Sequence, residues 1–169
     1  AGASEDVHVF RRLPERENAR ASFGLHRNAY LKRHFRDPYA GLDEARAILL
    51  CTELGIKTAR LVGFGANKSA GTSLVMTQAL DEHRPADQAW HEFTSARRDA
   101  LLVETADLVR RLHEHRLFHR DLYWCHFFVK DLPQGGGELD IRLIDLQRVF
   151  RPASRPWRWQ IKDLGQFLY

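Results

Sequence analysis

The chain has 169 residues, of which 44% are hydrophobic and 28% charged, a balance typical of a folded globular protein and not of a disordered one. Its net charge of +4 and its pI near 9.3 suit an anionic substrate such as a nucleotide or a phosphorylated glycan, although many globular domains carry a similar charge. No apolar run approaches the roughly 20 residues of a membrane span, and Cys51 and Cys125 form neither a disulfide framework nor a zinc-ligand spacing.

The first part of the chain predicts strands. Residues 1–20 are polar and predict no element, whereas "ASFGLH" and "RNAYLKRHF" predict the two strands of a hairpin. In the second of these strands, the two-residue period places Tyr30, Lys32 and His34 on one face.

One helix and two more strands follow. "GLDEARAILLCTELG" predicts a helix with an acidic first turn, a stop at Gly55 and an apolar stripe that includes Ala45, Ile48 and Leu49. "TARLVGFG" and "TSLVMTQAL" predict the two strands, and a change of composition near residues 79–85 predicts the boundary with a more helical second part.

The second part begins with the strongest helix pattern, "SARRDALLVETADLVRRLHEH". Leu101, Thr105, Leu108 and Leu112 recur in it at the spacing of one buried face. "CHFFVK" and "IRLIDL" predict a hairpin joined by a glycine-rich tip, "RPASRPWRW" a loop, and "QIKDLGQFLY" the start of a helix. The order of elements predicts an α+β fold.

The polar residues of these elements suggest phosphoryl transfer, which requires mainly positioning and charge neutralisation. Lys32 lies in the strand before the first helix, and Glu44 lies in the first turn of that helix, where it could hold the lysine. Asp121 follows the long helix within "HRDLYWCHF", and Asp145 ends the strand "RLID". Each residue alone has an ordinary structural explanation, but all four in this order match the protein-kinase template.

The motifs "HRDLYWCHF" and "LIDLQR" resemble those of the bacterial lipopolysaccharide core kinases, which phosphorylate heptose or Kdo sugars of the inner core. "EARAILLCTELGIKTARLVGFG" and "RWQIKDL" are also similar to segments of this family. The resemblance covers roughly residues 24–168. His126, which stands where protein kinases carry a metal-binding Asn, is a residue of the family's own motif, whereas Gln147 replaces its His.

The resemblance implies a protein-kinase-like α+β fold with a small antiparallel-sheet N-lobe (residues 1–80) and a mainly helical C-lobe (residues 81–169) that is truncated at its end. It implies ATP and Mg²⁺ as cofactors. It also implies roles for individual residues. Asp121 would be the catalytic base, Asp145 would bind magnesium, and Lys32 would neutralise phosphates. The backbone of the hinge would bind adenine, through Thr77, Gln78, Ala79 and Leu80.

Several positions depart from the protein-kinase template. His126 is a candidate catalytic residue, although imidazole is a poor ligand for magnesium. Its ring could hydrogen-bond a phosphate or Asp145. Alternatively, His126 could be a buried histidine whose ring hydrogen-bonds the backbone. Tyr123 stands where many kinases carry a lysine, and Arg148 could replace that cation or form a structural ion pair. No glycine-rich loop is present, with only Gly24 nearby.

Two competing interpretations concern other clusters of residues. A zinc site could be built from His119, Asp121, Cys125 and His126, although ligands so close together in a loop rarely close a tetrahedron. Trp157 and Trp159 could stack on sugar rings, although ordinary packing explains them as well.

Three functions therefore stay open: a lipopolysaccharide sugar kinase, another small-molecule or protein kinase, and a regulatory pseudokinase. The expected partner is the inner-core glycan, with peripheral contact with the inner membrane and no nucleic acid. The start "AGASEDVHVF" lacks the pattern of a signal peptide, which predicts a cytoplasmic protein at the inner face of that membrane.

Overall fold

The computed structural model describes residues 6–22, 28–132 and 138–168, and the fold is α+β. The chain divides into two compact units. The first comprises residues 1–50 and 59–81, and the second comprises residues 51–58 and 82–169. In the described part of the chain, none of the helices combines the length and the apolar character that a transmembrane span requires.

The first unit contains a five-stranded antiparallel sheet with the order β1-β2-β3-β5-β4. Its strands are β1 (Asp6–Arg12), β2 (Arg16–Ser22), β3 (Asn28–Phe35), β4 (Leu61–Asn67) and β5 (Thr72–Gln78).

The strands β3, β4 and β5 confirm the predictions, but the expectation of no element in residues 1–20 is wrong. β1 and most of β2 lie there. β1 pairs with β2, and β2 pairs with β3, so the strands are stabilised by backbone pairing although their apolar alternation is short. Of the predicted strand "ASFGLH", Ala21 and Ser22 belong to β2, and residues 23–27, with Gly24, lie outside the described residues.

Helix α1 (Ala40–Glu53) begins against β5. The Gly41 N–H donates to Ser73 Oγ at 3.0 Å, and a Cβ atom at Gly41 would lie 2.7 Å from the backbone of Leu74. Only glycine allows this approach. The predicted apolar stripe is confirmed at Ala45 and Ile48 but wrong at Leu49, which is 46% exposed.

The second unit contains three helices and a three-stranded antiparallel sheet. The helices are α2 (Ala86–Glu92), α3 (Ser95–Glu114) and α4 (Pro156–Phe167). The sheet has the order β6-β7-β8 and consists of β6 (Arg84–Pro85), β7 (Phe127–Asp131) and β8 (Leu139–Leu143).

The predicted long helix and the β7–β8 hairpin are confirmed, and the four residues of the predicted helical stripe in α3 are all buried. The glycines of the hairpin tip lie in residues 133–137, outside the described residues. The predicted loop "RPASRPWRW" is wrong from Pro156 onward, because α4 begins there. Proline suits the first turn of a helix, where its missing N–H group costs no hydrogen bond.

Candidate active site

In the first unit, β3 and α1 bring Lys32 and Glu44 together. Lys32 Nζ donates to Glu44 Oε1 at 2.8 Å, and both residues are buried. Lys32 pairs with Val75 of the neighbouring strand, and Glu44 sits in the first turns of the helix that Gly41 seats against β5. A buried ion pair holds both side chains in one geometry because either charge alone would be costly in this environment.

The hinge predicted at residues 77–80 lies at the end of β5 and just beyond it. The Gln78 N–H donates to Arg60 O at 2.8 Å, and the Ala79 N–H donates to Asn28 O at 2.9 Å. Because these two N–H groups bind carbonyl groups of neighbouring segments, an adenine ring would have to use other backbone groups of residues 77–80.

In the second unit, Asp121 lies in the loop after α3 and forms an ion pair with Arg148. One nitrogen of the guanidinium group, Nη1, lies 2.7 Å from each of the two carboxylate oxygens. An ionised carboxylate offers about four lone-pair sites. Each oxygen of Asp121 therefore keeps acceptor capacity for another hydrogen, such as that of a substrate hydroxyl group.

His126 lies between Asp121 and Asp145. Its Nδ1 atom is 2.7 Å from the carbonyl oxygen of Asp121, so Nδ1 carries the hydrogen and donates. Its other ring nitrogen, Nε2, faces Asp145 Oδ2 at 3.7 Å. The structure thus brings together all three residues that the sequence singles out in this unit.

Asp145 has the properties of a magnesium ligand. Its carboxylate is half-buried, and its backbone adopts the left-handed conformation (φ +60°) directly after the strand β8 and Ile144. Magnesium in kinases is bound by one or two carboxylates together with substrate phosphates, so this donor fits the ion. No group of three or more His, Cys, Asp or Glu side chains in residues 6–22, 28–132 and 138–168 is arranged to hold a metal, which leaves the zinc alternative without support.

Asp163 of α4, which sequence reasoning did not assign to the site, holds the loop that carries Asp121. Its side chain is fully buried and accepts hydrogen bonds from the backbone N–H groups of His119, at 2.9 Å, and Arg120, at 2.8 Å. His113 Nε2 lies 3.2 Å from the same carboxylate. The signal that could have revealed this role was an acidic residue on the apolar face of a helix.

Two further residues of α4, on the same face as Asp163, bind the loop. Gln166 accepts a hydrogen bond from the Leu122 N–H at 3.2 Å. Trp124 stacks on Phe167 and donates its indole N–H to the carbonyl oxygen of Phe167 at 2.6 Å. Residues three and four apart share a helix face, so this helix fixes the loop through one stripe of side chains.

His119 and Arg120, the first two residues of the motif "HRDLYWCHF", have structural roles within the fold. Burial lowers the pKa of His119, which favours the neutral ring, and Nε2 donates to Ile144 O at 3.0 Å. The guanidinium of Arg120 lies over the rings of Phe150 and Trp159, at 5.3 and 5.5 Å from their centroids. Trp159 therefore packs inside the unit.

Comparison with known proteins places the chain in one family. The model of the lipopolysaccharide kinase (Kdo/WaaP) family matches residues 18–169. The chain is 35% identical over 140 residues to the lipopolysaccharide core heptose(I) kinase WaaP of Escherichia coli K12, covering 76% of this chain and 52% of that protein. It is 30% identical over 136 residues to the protein of the same name from Pseudomonas aeruginosa PAO1, covering 75% of this chain and 51% of that protein. The chain thus spans about half the length of these relatives.

Solved structures confirm the kinase-like fold. A structure described as WaaP in complex with acyl carrier protein matches with a TM-score of 0.78 and 27% identity, covering 98% of this chain and 70% of that one. The kinase PK-1 of Cydia pomonella granulovirus shares the fold alone, with a TM-score of 0.65, 12% identity and coverage of 89% and 53%. The matches in sequence and in fold agree, and the chain belongs to the lipopolysaccharide kinase (Kdo/WaaP) family.

Proposed function

We propose that this chain is the catalytic part of an ATP-dependent kinase that phosphorylates a hydroxyl group of a lipopolysaccharide inner-core sugar. The observation that carries the proposal is the arrangement of Asp121 and His126, on a loop that Asp163 fixes through two backbone N–H groups, with Asp145, which lies after β8 and faces His126. The names of the relatives favour a heptose over Kdo as the acceptor.

In the proposed reaction, Asp121 orients the sugar hydroxyl group and accepts its proton. The hydroxyl oxygen forms a bond to the γ-phosphorus of ATP, the bond from this phosphorus to the β–γ bridging oxygen breaks, and ADP leaves. Arg148, 2.7 Å from both oxygens of Asp121, keeps the carboxylate in place and adds positive charge beside the reacting groups. Arg148 would thus supply the positive charge that a loop lysine supplies in many protein kinases, at the position where this chain has Tyr123.

Lys32 and Asp145 are the other charged residues of the proposed site. Held by Glu44, Lys32 would bind the phosphates of the nucleotide. Asp145 would hold Mg²⁺, which supplies neutralisation of the phosphate oxygens when it is bound. His126, whose Nδ1 binds the Asp121 carbonyl oxygen, would keep its Nε2 directed at Asp145 or at a phosphate.

We assign nucleotide covering to residues 1–80 and the catalytic loop and acceptor to residues 81–169. Residues 77–80 would hold adenine through backbone groups other than the Gln78 and Ala79 N–H groups, which bind carbonyl groups of neighbouring segments. An inner-core glycan as acceptor would bring the protein to the cytoplasmic face of the inner membrane, and the net charge of +4 would favour contact with its anionic surface. Acyl carrier protein, present in the complex of the solved relative, is a candidate partner.

The test is an acceptor screen that measures magnesium-dependent ADP release. Delipidated inner-core oligosaccharide, a generic protein substrate and a reaction without acceptor are compared at equal ATP concentration. We expect release with the oligosaccharide alone. Release with the protein substrate alone would indicate a kinase of another acceptor class, and ATP binding without release under any condition would indicate a pseudokinase.

A further inference from the structure

A cavity of about 310 Å³ lies in the second unit, lined by His115, Arg116, Arg151, Pro152 and Ala153. Two distant segments meet there because Phe118 and Phe150 form an antiparallel bridge, with N···O distances of 3.1 and 3.2 Å in the two directions. Residues on either side of this bridge, Arg116 on one segment and Arg151 to Ala153 on the other, line the cavity.

The cavity carries uncompensated positive charge. Within the part of the chain that the structure describes, neither Arg116 nor Arg151 forms an ion pair. The nearest acidic residue along the chain, Glu114, pairs instead with Arg110. Two arginines without a carboxylate partner therefore line the same cavity.

The backbone at Arg116 shows that arginine occupies a position suited to glycine. Helix α3 ends with the Leu117 N–H bound to Leu112 O and the Arg116 N–H bound to His113 O, and Arg116 has a φ of +56°. This is the Schellman motif, in which the left-handed residue is usually glycine.

Helix α1 of the same protein ends with the same hydrogen-bond pattern and follows that preference. The Ile56 N–H binds Cys51 O, the Gly55 N–H binds Thr52 O, and Gly55 has a φ of +67°. The equivalent position of α3 carries Arg116, which adopts the left-handed conformation at a cost that glycine avoids. Arg36, Arg120 and Arg155 also have a positive φ, so this conformation supports a role for Arg116 only together with the cavity that it lines.

We propose that this cavity binds a phosphate monoester carried by a sugar. Two guanidinium groups without carboxylate partners match the oxygens of a phosphate group, and the open cavity has room for more than a phosphate group alone. The inference rests on the proposed function, in which the substrate is a glycan. The bound phosphate group would be one that the acceptor already carries, separate from the phosphoryl group that is transferred.

The cavity lies near enough to Asp121 for one glycan to reach both places. Arg116 lies five positions before Asp121, which limits the distance between their Cα atoms to about 18 Å. Arg151 lies three positions after Arg148, whose guanidinium contacts Asp121. A few sugar units span such a distance, so the cavity would fix the register of the acceptor relative to the catalytic base.

The first arm of the test measures equilibrium binding of three probes in the absence of ATP: inorganic phosphate, a hexose 6-phosphate and the unphosphorylated hexose. We expect the hexose phosphate to bind more tightly than inorganic phosphate and the hexose not to bind. Equal affinity for hexose phosphate and inorganic phosphate would overturn the assignment to a sugar-borne phosphate.

The second arm compares variants. Arg116→Gly and Arg151→Gln should each weaken binding of the hexose phosphate about tenfold, the usual effect of losing one charge-assisted hydrogen bond. Arg158→Gln removes the same charge from an exposed site outside the cavity and should leave binding unchanged. Equal affinities in all three variants would overturn the proposal.

Two controls separate the outcomes. Arg116→Gly introduces the residue that this backbone conformation favours, so the melting temperature of the variant should equal or exceed that of the unmodified chain. A loss of binding in this variant would then not be caused by a loss of folding. Asp121→Asn should bind the hexose phosphate normally. Normal binding of the hexose phosphate by an unmodified chain that transfers no phosphate to the oligosaccharide would contradict the proposed function but leave the anion site in place.

Discussion

At the scale of single residues, the ion pair of Lys32 and Glu44 bears both on the proposed binding of nucleotide phosphates and on the stability of the fold. Both residues are buried and their charges are 2.8 Å apart. Removing one partner of a buried ion pair leaves the other charge uncompensated, whereas replacing both with apolar groups is often neutral. Stability and nucleotide binding can therefore be separated at this pair.

We predict that Lys32→Met lowers the free energy of unfolding by about 3–5 kcal/mol. The double variant Lys32→Met/Glu44→Leu should recover most of that loss and still fail to bind ATP. Urea unfolding and equilibrium ATP binding measure the two effects. ATP binding by the double variant at the affinity of the unmodified chain would show that Lys32 does not contact the nucleotide.

The ion pair between Arg148 and Asp121 leads to a second prediction at this scale. Arg148→Gln should lower kcat by at least about tenfold with little change in the KM for ATP, because the arginine acts on the base and on the charge that develops in the transition state. Arg148→Lys should restore part of the rate. Arg158→Gln serves as the matched loss of charge, and an equal kcat in Arg148→Gln and Arg158→Gln would exclude a role for Arg148.

At the scale of elements, helix α4 acts as the support of the catalytic loop. Asp163, Gln166 and Phe167 all bind the loop from one face of the helix. A loop that carries a base needs such support, since small displacements of a catalytic group reduce the rate strongly.

Asp163→Asn tests this support. An amide group offers one acceptor oxygen and directs an NH2 group at a backbone N–H, so we expect a loss of about 2–3 kcal/mol in the free energy of unfolding and a lower kcat at temperatures where the variant is folded. Asp107→Asn makes the same chemical change at an exposed surface pair with Arg110 and should leave both quantities unchanged. A kcat that Asp163→Asn does not alter would contradict the assigned role.

The β7–β8 hairpin carries a pH-dependent contact at Asp140. Burial raises the pKa of this carboxyl group, but hydrogen bonds from His83, Arg142 and Lys57 outweigh burial and lower the pKa from 3.8 to about 2. A group whose pKa is lower in the folded state contributes stability above its unfolded pKa. That contribution disappears as the pH falls from about 4 to about 2.

Asp140→Asn should therefore lower the free energy of unfolding at pH 7 by about 1–2 kcal/mol, a value reduced by partial solvent screening. The difference from the unmodified chain should vanish near pH 2. Urea unfolding at several pH values measures it, with Asp107→Asn as the control. A destabilisation that stays constant between pH 7 and pH 2 would show that the charge of Asp140 is not its cause.

At the scale of the whole molecule, the sequence predicted best what depends on local pattern. The apolar spacing in α3 and the glycine stop of α1 determine those helices locally, and both were confirmed. The contact between Lys32 and Glu44 was also predicted, because a lysine on a strand followed by a glutamate on the next helix matches the protein-kinase template.

The features that escaped prediction depend on contacts between segments distant in the chain. β1 and most of β2 pair with neighbouring strands, and their apolar alternation is short, limited to Val7 and Val9 in β1 and to Ala19 and Ala21 in β2. The role of Asp163 requires a contact with residues more than forty positions away, at His119 and Arg120. The start of α4 at Pro156 was missed because proline and serine nearby suggested a loop.

The family assignment rests on residues 18–169, and the activity of this chain, which spans about half the length of several relatives, is the central claim to test. The most direct measurement is transfer of labelled γ-phosphate from ATP to delipidated inner-core oligosaccharide by the unmodified chain and by Asp121→Asn. The account predicts labelled oligosaccharide with the unmodified chain and a loss of at least about a hundredfold in Asp121→Asn, in line with the contribution of general base catalysis. Equal labelling by both proteins, or none by a chain that binds both ATP and the oligosaccharide, would contradict it.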